Sequence, residues 1–459
     1  VPRLSAEKTI AAVSTPHASG GIGIVRISGE RSLAVADKIF RTTSGKIPSR
    51  SKGYRAYHGR VWDNEEVVDE AVCLVFRAPK SYTGEDVAEI SCHGGLYVTQ
   101  RVLRAALNAG AEPAEAGEFT KRAFLNGRIG LEQAEAVMSL IAAQSDTAAK
   151  AALNALDGAL SGKIRGTASS LIAACAQLAA WVDYPDEDIE EIRPENLKEV
   201  FARAKAELTS LLDGFEAGRA ATEGVNTVIV GRPNVGKSTL MNLLSGYERS
   251  IVTECAGTTR DVVEETVRLG GIVLRLADTA GIRETDNPVE SIGVGLAKKK
   301  LELAGLILAV FDGSDPLTDD DRRLLESCRG KTVVGVVNKS DLPRSIDLDY
   351  IKNMTSRTVE ISASEGEGLE TLVECVEHLL GTDRFDPGAA MLANERQRQC
   401  CERASRRLDE ALEAIDTGLT LDAVNVCADA AIDALLELTG EKAGEAVVNE
   451  VFSRFCVGK

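Results

Sequence analysis

Residues Gly231-Arg-Pro-Asn-Val-Gly236-Lys237-Ser238 follow the spacing G-x-x-x-x-G-K-[ST], and the chemistry of that spacing is phosphate binding. Glycines let backbone N–H groups approach phosphate oxygens, and a helix N-terminus just after them adds a favourable dipole. Asn234, Val235, Gly236, Lys237, Ser238 and Thr239 are therefore the candidate cradle. Lys237 would neutralise β/γ-phosphate charge, and the Ser238 hydroxyl would ligate Mg²⁺. Taken alone, the same residues could be an arbitrary glycine-rich turn.

Further motifs follow in the order a guanine-nucleotide site needs. Gly257-Thr258-Thr259-Arg260-Asp261 lies where a first switch belongs, with Thr259 as the natural Mg²⁺ ligand. Asp278-Thr279-Ala280-Gly281 follows a strand-like run; Asp278 can reach Mg²⁺ through water and the Gly281 amide can sense a γ-phosphate. Asn338-Lys339-Ser340-Asp341 ends another such run. A carboxylate at Asp341 can accept from both N1–H and N2–H of guanine, a donor pair that adenine lacks. Ser362-Ala363-Ser364 fits a second guanine loop, with the Ala363 amide facing the base oxygen. Together these imply a GTPase domain. Many GTPases place a water-orienting Gln after the Gly281 position, but here Ile282 stands there and cannot polarise water. Catalysis then needs another group, for which Arg283, Glu284, Asp286 and Glu290 are at hand, although most charges in such a loop are simply solvated. Asn234 adds an oxygen suited to a monovalent cation beside the phosphates, where the ion would supply the charge an arginine finger gives elsewhere.

These loops need a scaffold that brings strand ends together. Val225–Val230, Val262–Leu269, Ile272–Ala277, Leu306–Phe311, Thr332–Val337 and Thr358–Ile361 read as strands of a doubly wound sheet, with a helix at Thr239–Leu244. Before it, residues 1–118 mix strand-like Ile22–Ser28, Val72–Phe76 and Val87–Ser91 with helical Val98–Ala109. Helical texture fills Leu131–Ala143, Ala148–Leu160, Ser170–Val182 and Pro194–Phe215, and returns at Met391–Ile415, Leu421–Thr439 and Glu445–Phe455. A compact α/β domain has neighbouring termini and can be inserted into another domain. The expected organisation is thus an α+β domain at 1–118, a helical domain from 119–219 plus 381–459, and a Ras-like α/β domain inserted at 220–380. Two separate bundles are the alternative.

Composition limits the partners. The chain has 459 residues and a net charge of −17, which argues against an independent nucleic-acid coat, and aromatics at 4% argue against a base-stacking platform. Residues 1–118 carry 15 basic and 14 acidic side chains, so the acidity lies in the rest. Ten cysteines without a C-x-x-C pair fit reduced cytoplasmic thiols. No apolar run approaches the roughly 20 residues of a spanning helix, and Val1–Ile10 has no signal-peptide core, so a soluble cytoplasmic protein is expected.

The chain resembles the MnmE (TrmE) family, tRNA wobble-uridine modification GTPases. The resemblance rests on Thr9-Ile-Ala-Ala-Val-Ser-Thr-Pro16, Gly20-Gly-Ile-Gly-Ile-Val-Arg-Ile-Ser-Gly29, Tyr82-Thr-Gly-Glu-Asp-Val87, His93-Gly-Gly95, Gly117-Glu-Phe-Thr120, Arg122-Ala-Phe-Leu-Asn126, Glu132-Gln-Ala-Glu-Ala136 and Phe455-Cys-Val-Gly-Lys459. It implies a folate-binding N-terminal domain that also dimerises, a helical domain, and an inserted G domain. It implies a heterotetrameric complex with an FAD-dependent partner, MnmG, that adds an aminomethyl or carboxymethylaminomethyl group at C5 of U34 in certain tRNAs. A tetrahydrofolate derivative (5,10-methylene- or 5-formyl-tetrahydrofolate) would supply the carbon, glycine or ammonium the amine, and FAD with NADH the redox steps. Carried over by motif, Arg26, Glu89, Arg128 and Lys459 match folate-binding positions, with Arg128 where the family most often has Lys. Without the family, Arg26 and Glu89 would read as a structural ion pair. Cys456 matches a cysteine suspected of a role in the modification chemistry. The resemblance makes Asn234 a K⁺ ligand, places Thr253, Thr258 and the Cys255 backbone in the loop that completes the cage, and makes Glu290 the residue that positions the attacking water. Hydrolysis would then be activated by K⁺-dependent pairing of two G domains. The competing readings are a ribosome-assembly GTPase, which usually carries a basic RNA-binding module, and a GTP-binding switch without useful turnover.

Overall fold

The computed structural model describes residues 8–183, 194–247, 265–276 and 301–458. They fall into two compact units: Val1–Met138, Leu156–Leu208 and Gln399–Lys459 form one, and Ser139–Ala155 with Thr209–Arg398 form the other.

The first unit is built on strands β1 (Ile10–Val13), β2 (Ile22–Ser28), β3 (Phe40–Thr42), β4 (Arg55–Asp63), β5 (Glu66–Phe76), β6 (Val87–His93) and β7 (Glu112–Pro113). They form one sheet in the order β3-β4-β5-β6-β2-β1-β7. Successive side chains alternate between its faces. Ala11, Val13, Val25, Ile27, Cys73, Val75, Ala88 and Ile90 pack against helices Ser32–Ile39 and Leu96–Asn108. On the opposite face, Ile10 and Ala12 meet Ala114, Phe119 and the partly buried Tyr82. The helices of this unit include Ala159–Asp183, packed along Leu421–Thr439, and Glu445–Ser453, whose Val448, Val451 and Phe452 close over Leu131 and Ala134.

The second unit carries β8 (Val225–Val230), β9 (Glu265–Leu269), β10 (Ile272–Leu276), β11 (Leu306–Asp312), β12 (Val333–Asn338) and β13 (Arg357–Glu360) in the order β13-β12-β11-β8-β10-β9. All neighbouring pairs are parallel except β9–β10. Parallel strands sandwiched by helices are buried on both faces. β11 obeys this completely: Leu306, Leu308 and Val310 join one core with Leu240, Leu244, Leu372 and Val376, while Ile307, Ala309 and Phe311 join another with Leu325 and Ile351.

The doubly wound reading holds within a residue or so at most strand ends, although Val262–Glu264 and Ala277 lie outside the described residues. The helical reading needs four corrections, the first being that Met391–Ile415 forms a helix only over Glu395–Asp416. Ala148–Leu160 is not one helix: Asp146–Leu156 stops before Gly158, whose φ of 91° suits glycine, and a new helix runs from Ala159 to Asp183, absorbing Ser170–Val182. Pro194–Phe215 is likewise divided, into Pro194–Asp213 and Phe215–Glu223 on either side of Gly214. The helix after the phosphate loop is longer than expected, Lys237–Tyr247.

Glu132, in the first turn of helix Leu131–Ala142, is buried at 3% exposure, and neither carboxylate oxygen has a hydrogen-bond partner among the described residues. Burial pushes its carboxyl above the usual range, and the nearby Arg165 charge only partly opposes it. A raised folded-state value means that the stabilising contribution is complete below the unfolded glutamate pKa and is lost as pH rises through the folded one. Glu132→Gln, which cannot ionise, is therefore expected to raise stability near neutral pH. Thermal melts should show that gain shrinking towards zero at about pH 4.

Candidate functional site

Every described nucleotide motif lies at the carboxyl edge of the second sheet, where open α/β sheets bind ligands. The phosphate loop leaves β8 and feeds helix Lys237–Tyr247, with Leu240 N donating to Gly236 O at 2.9 Å. Asn234 stands at the exposed tip with a φ of +63°, Val235 is buried at 2%, and Ser238 and Thr239 stand at the helix start. Lys237 Nζ donates to Gly231 O at 2.7 Å and to Arg232 O at 2.6 Å.

The guanine loops are tied to this loop through one side chain. Asn338, 3% exposed at the end of β12, donates from Nδ2 to Val235 O and accepts at Oδ1 from Ala363 N, both at 2.9 Å. Gly236 makes room for it, since a Cβ there would sit 2.0 Å from Asn338 Nδ2. The Ser362 hydroxyl donates to Asp341 Oδ1 at 2.6 Å and lies 3.2 Å from Ser364 Oγ, so the carboxylate is aimed by the loop after β13. Lys339, with a φ of +63°, pairs with Asp312 at the end of β11. Burial would raise the Asp312 carboxyl, but hydrogen bonds from Lys339 and from the Ser314 hydroxyl and amide hold it below the ordinary aspartate value. Asp312 was not expected from sequence. Its only trace there is its place at the end of a fully apolar strand.

The structure thus brings together Asn234, Val235, Gly236, Lys237, Ser238, Thr239, Asn338, Lys339, Asp341, Ser362, Ala363 and Ser364. Thr253, Cys255, Thr258, Thr259, Asp278, Thr279, Ala280, Gly281, Ile282 and Glu290 lie outside the described residues, as does Lys459.

A second constellation sits on the face of the first sheet opposite helices Ser32–Ile39 and Leu96–Asn108. Arg26 and Glu89 are direct cross-strand partners on β2 and β6. Arg26 Nε donates to Glu89 Oε1 at 2.8 Å, and each side chain is 17% exposed. The guanidinium carbon is 5.1 Å from the Tyr82 ring centroid and 5.4 Å from that of Phe119. Sequence reasoning missed these two rings, although both belong to motifs that carried the resemblance. Those motifs interlock around Arg122, whose Nη2 donates to Glu118 at 2.8 Å and whose Nη1 reaches Glu85 at 3.1 Å and Lys8 O at 2.8 Å. Tyr82 OH and Thr120 Oγ1 are 2.8 Å apart, and Asn126 Nδ2 donates to Thr83 O at 2.7 Å. This network fixes helix Glu118–Leu125, and with it Phe119, over the sheet.

Arg128 is exposed just beyond that helix, and no side chain among the described residues pairs with it. The C-terminal segment returns to the same unit: Gly117 N donates to Cys456 O at 3.3 Å, and Ala116 bridges Val457. The Gly458 backbone lies so close to β1 that a Cβ would stand 2.2 Å from Val13 O. Cys456 is exposed, whereas burial pushes the Cys73 and Cys401 thiols up to about 12.

Comparison with known proteins matches both regions. Residues 9–128 match the family model for the GTP-binding protein TrmE N-terminus, and residues 131–456 match that for the MnmE helical domain. The tRNA modification GTPase MnmE of Bacillus licheniformis is 41% identical over 457 residues, covering 98% of this chain and 100% of its own. That of Clostridioides difficile is 41% identical over 458 residues, covering 99% of each. Among solved structures, Aquifex aeolicus Era bound to GDP·AlF4⁻ is 27% identical, covers 40% of this chain and 66% of its own, and superposes with a TM-score of 0.27. The chain belongs to the MnmE family of tRNA modification GTPases.

Proposed function

We propose that this chain hydrolyses GTP as the nucleotide-driven component of a tRNA modification reaction at C5 of the wobble uridine, U34. The observation that carries the GTP reading is the Asn338 carboxamide, which links the phosphate loop to the loop bearing Ala363 while Ser362 orients Asp341. The tRNA reading rests on family membership along nearly the whole chain.

In this reading Lys237 leaves its loop carbonyls for the β/γ-phosphates, and Ser238 and Thr239 meet the phosphate end of the nucleotide at the helix N-terminus. Ser238 and Thr259 hold Mg²⁺. Asp341 selects guanine, and Glu290 orients the attacking water. Asn234, Thr253, Thr258 and the Cys255 backbone would hold K⁺, which would supply positive charge beside the phosphates. The exposed position of Asn234 at the loop tip supports that assignment. Domain limits of 1–118, 119–219 plus 381–459, and 220–380 belong to the same proposal.

A tetrahydrofolate derivative is the ligand proposed for the face of the first sheet that carries Arg26 and Glu89. Glu89 Oε2 has no partner among the described residues, and a carboxylate in this position suits the N–H edge of a pterin. The partly buried Tyr82 ring adds flat apolar surface beside Arg26, and Arg128 and Lys459 take the glutamate tail. When bound, the folate supplies the one-carbon unit. Exposed Ile22, Leu96 and Tyr97, at 66%, 42% and 71%, offer apolar area for a second copy of the N-terminal domain. MnmG would provide the flavin and most of the grip on tRNA, consistent with a net charge of −17.

Nucleoside analysis of tRNA incubated with this chain, MnmG, GTP, folate, NADH and an amine donor tests the proposal, and unmodified U34 would overturn it. Hydrolysis is expected to be at least about tenfold faster in K⁺ than in Na⁺ at equal ionic strength. Glu290→Ala should lose about 10²-fold or more in kcat with little change in GTP affinity. Glu89→Gln and deletion of Lys459 should each weaken reduced-folate binding about tenfold by calorimetry, as expected for loss of one charged hydrogen bond.

A further inference from the structure

The phosphate-loop pattern leaves its second position open, and here it is occupied by Arg232. Its Nε lies 3.0 Å from Oδ1 and 2.9 Å from Oδ2 of Asp321. Asp321 is 1% exposed, at the third position of helix Asp319–Ser327. The same carboxylate caps that helix: Oδ2 accepts from Thr318 N at 3.0 Å and from Thr318 Oγ1 at 2.7 Å. A carboxylate this deeply buried is stable only if its charge is matched and its lone pairs are used, and Arg232 supplies the match.

The backbone of Arg232 has a second duty. Its carbonyl oxygen, with that of Gly231, accepts from Lys237 Nζ. One residue is thus anchored by its side chain to the helix after β11 while its backbone holds the ammonium that must reach the phosphates. We infer that the Arg232–Asp321 pair is a positioning device for Lys237: it fixes the first turn of the phosphate loop and so sets where the lysine starts and how the loop amides face the nucleotide. Helix Asp319–Ser327 becomes the mechanical support of the phosphate site, although none of its residues belongs to a nucleotide-binding motif. The inference rests on the GTP reading of the loop.

Because a positioning pair acts on bound substrate and transition state alike, its loss should appear in KM more than in kcat. Arg232→Ala leaves Asp321 buried and unpaired and costs stability. Asp321→Asn removes the charge and turns the acceptor that faces Arg232 into a donor, while the carboxamide oxygen can still accept from Thr318. With the full chain, GTP and Mg²⁺ in K⁺, Asp321→Asn and Arg232→Ala are each expected to raise KM about tenfold with kcat within about twofold. The double variant should be no worse than the poorer single, and Arg232→Lys should recover part of the loss. Parent-like KM in Asp321→Asn, or losses that simply add in the double variant, would overturn the inference. Absence of GTP binding by the parent chain would instead overturn the proposed function.

Discussion

The Asn338 carboxamide donates to Val235 O and accepts from Ala363 N, so one buried side chain joins loops that leave three different strands. Each of these bonds contributes only about 0.5–1.5 kcal/mol net. Losing the side chain would cost more, because the Val235 carbonyl and the Ala363 amide would both lose their partner. The bridge also demands that nothing stand between Asn338 and the phosphate loop, a space that Gly236 provides. The parallel sheet, the strand lengths and the burial of β11 and β12 on both faces serve to bring these groups to one edge.

What could be read from the sequence follows from the range of the interactions. The phosphate loop is local: its glycines, lysine and serine fall within eight residues, so spacing alone discloses it. The guanine loops are local too, each a short run at a strand end. Asp312 and Asp321 are different. Their partners, Lys339 and Arg232, lie 27 and 89 residues away, and in sequence both look like ordinary loop or helix-start acids. The helix break at Gly158 was missed because alanine-rich texture continues across it and the hydrophobic pattern barely changes.

The N-terminal sheet separates its two tasks by parity. Odd positions of β1 and β2, such as Ala11, Val25 and Ile27, hold the helices on, while even positions such as Ala12 and Arg26 face the other way. A shift of one residue in register would exchange them. Arg26 and Glu89 stand out through family motifs, and the ion pair that was their alternative reading is formed across β2 and β6 by strand register.

The arrangement of the first unit also has a temporal side. Its segments end at Leu208 and resume at Gln399, so Leu131 and Ala134 cannot be covered by Val448, Val451 and Phe452 until nearly the whole chain exists. At about 5–20 residues per second of synthesis, the interval between the two segments is roughly 10–40 s. During that time the interposed sheet can already close around β11, while the earlier helices keep apolar faces in water. The nascent chain therefore holds the strands of the second sheet before the last helices of the first unit have been made.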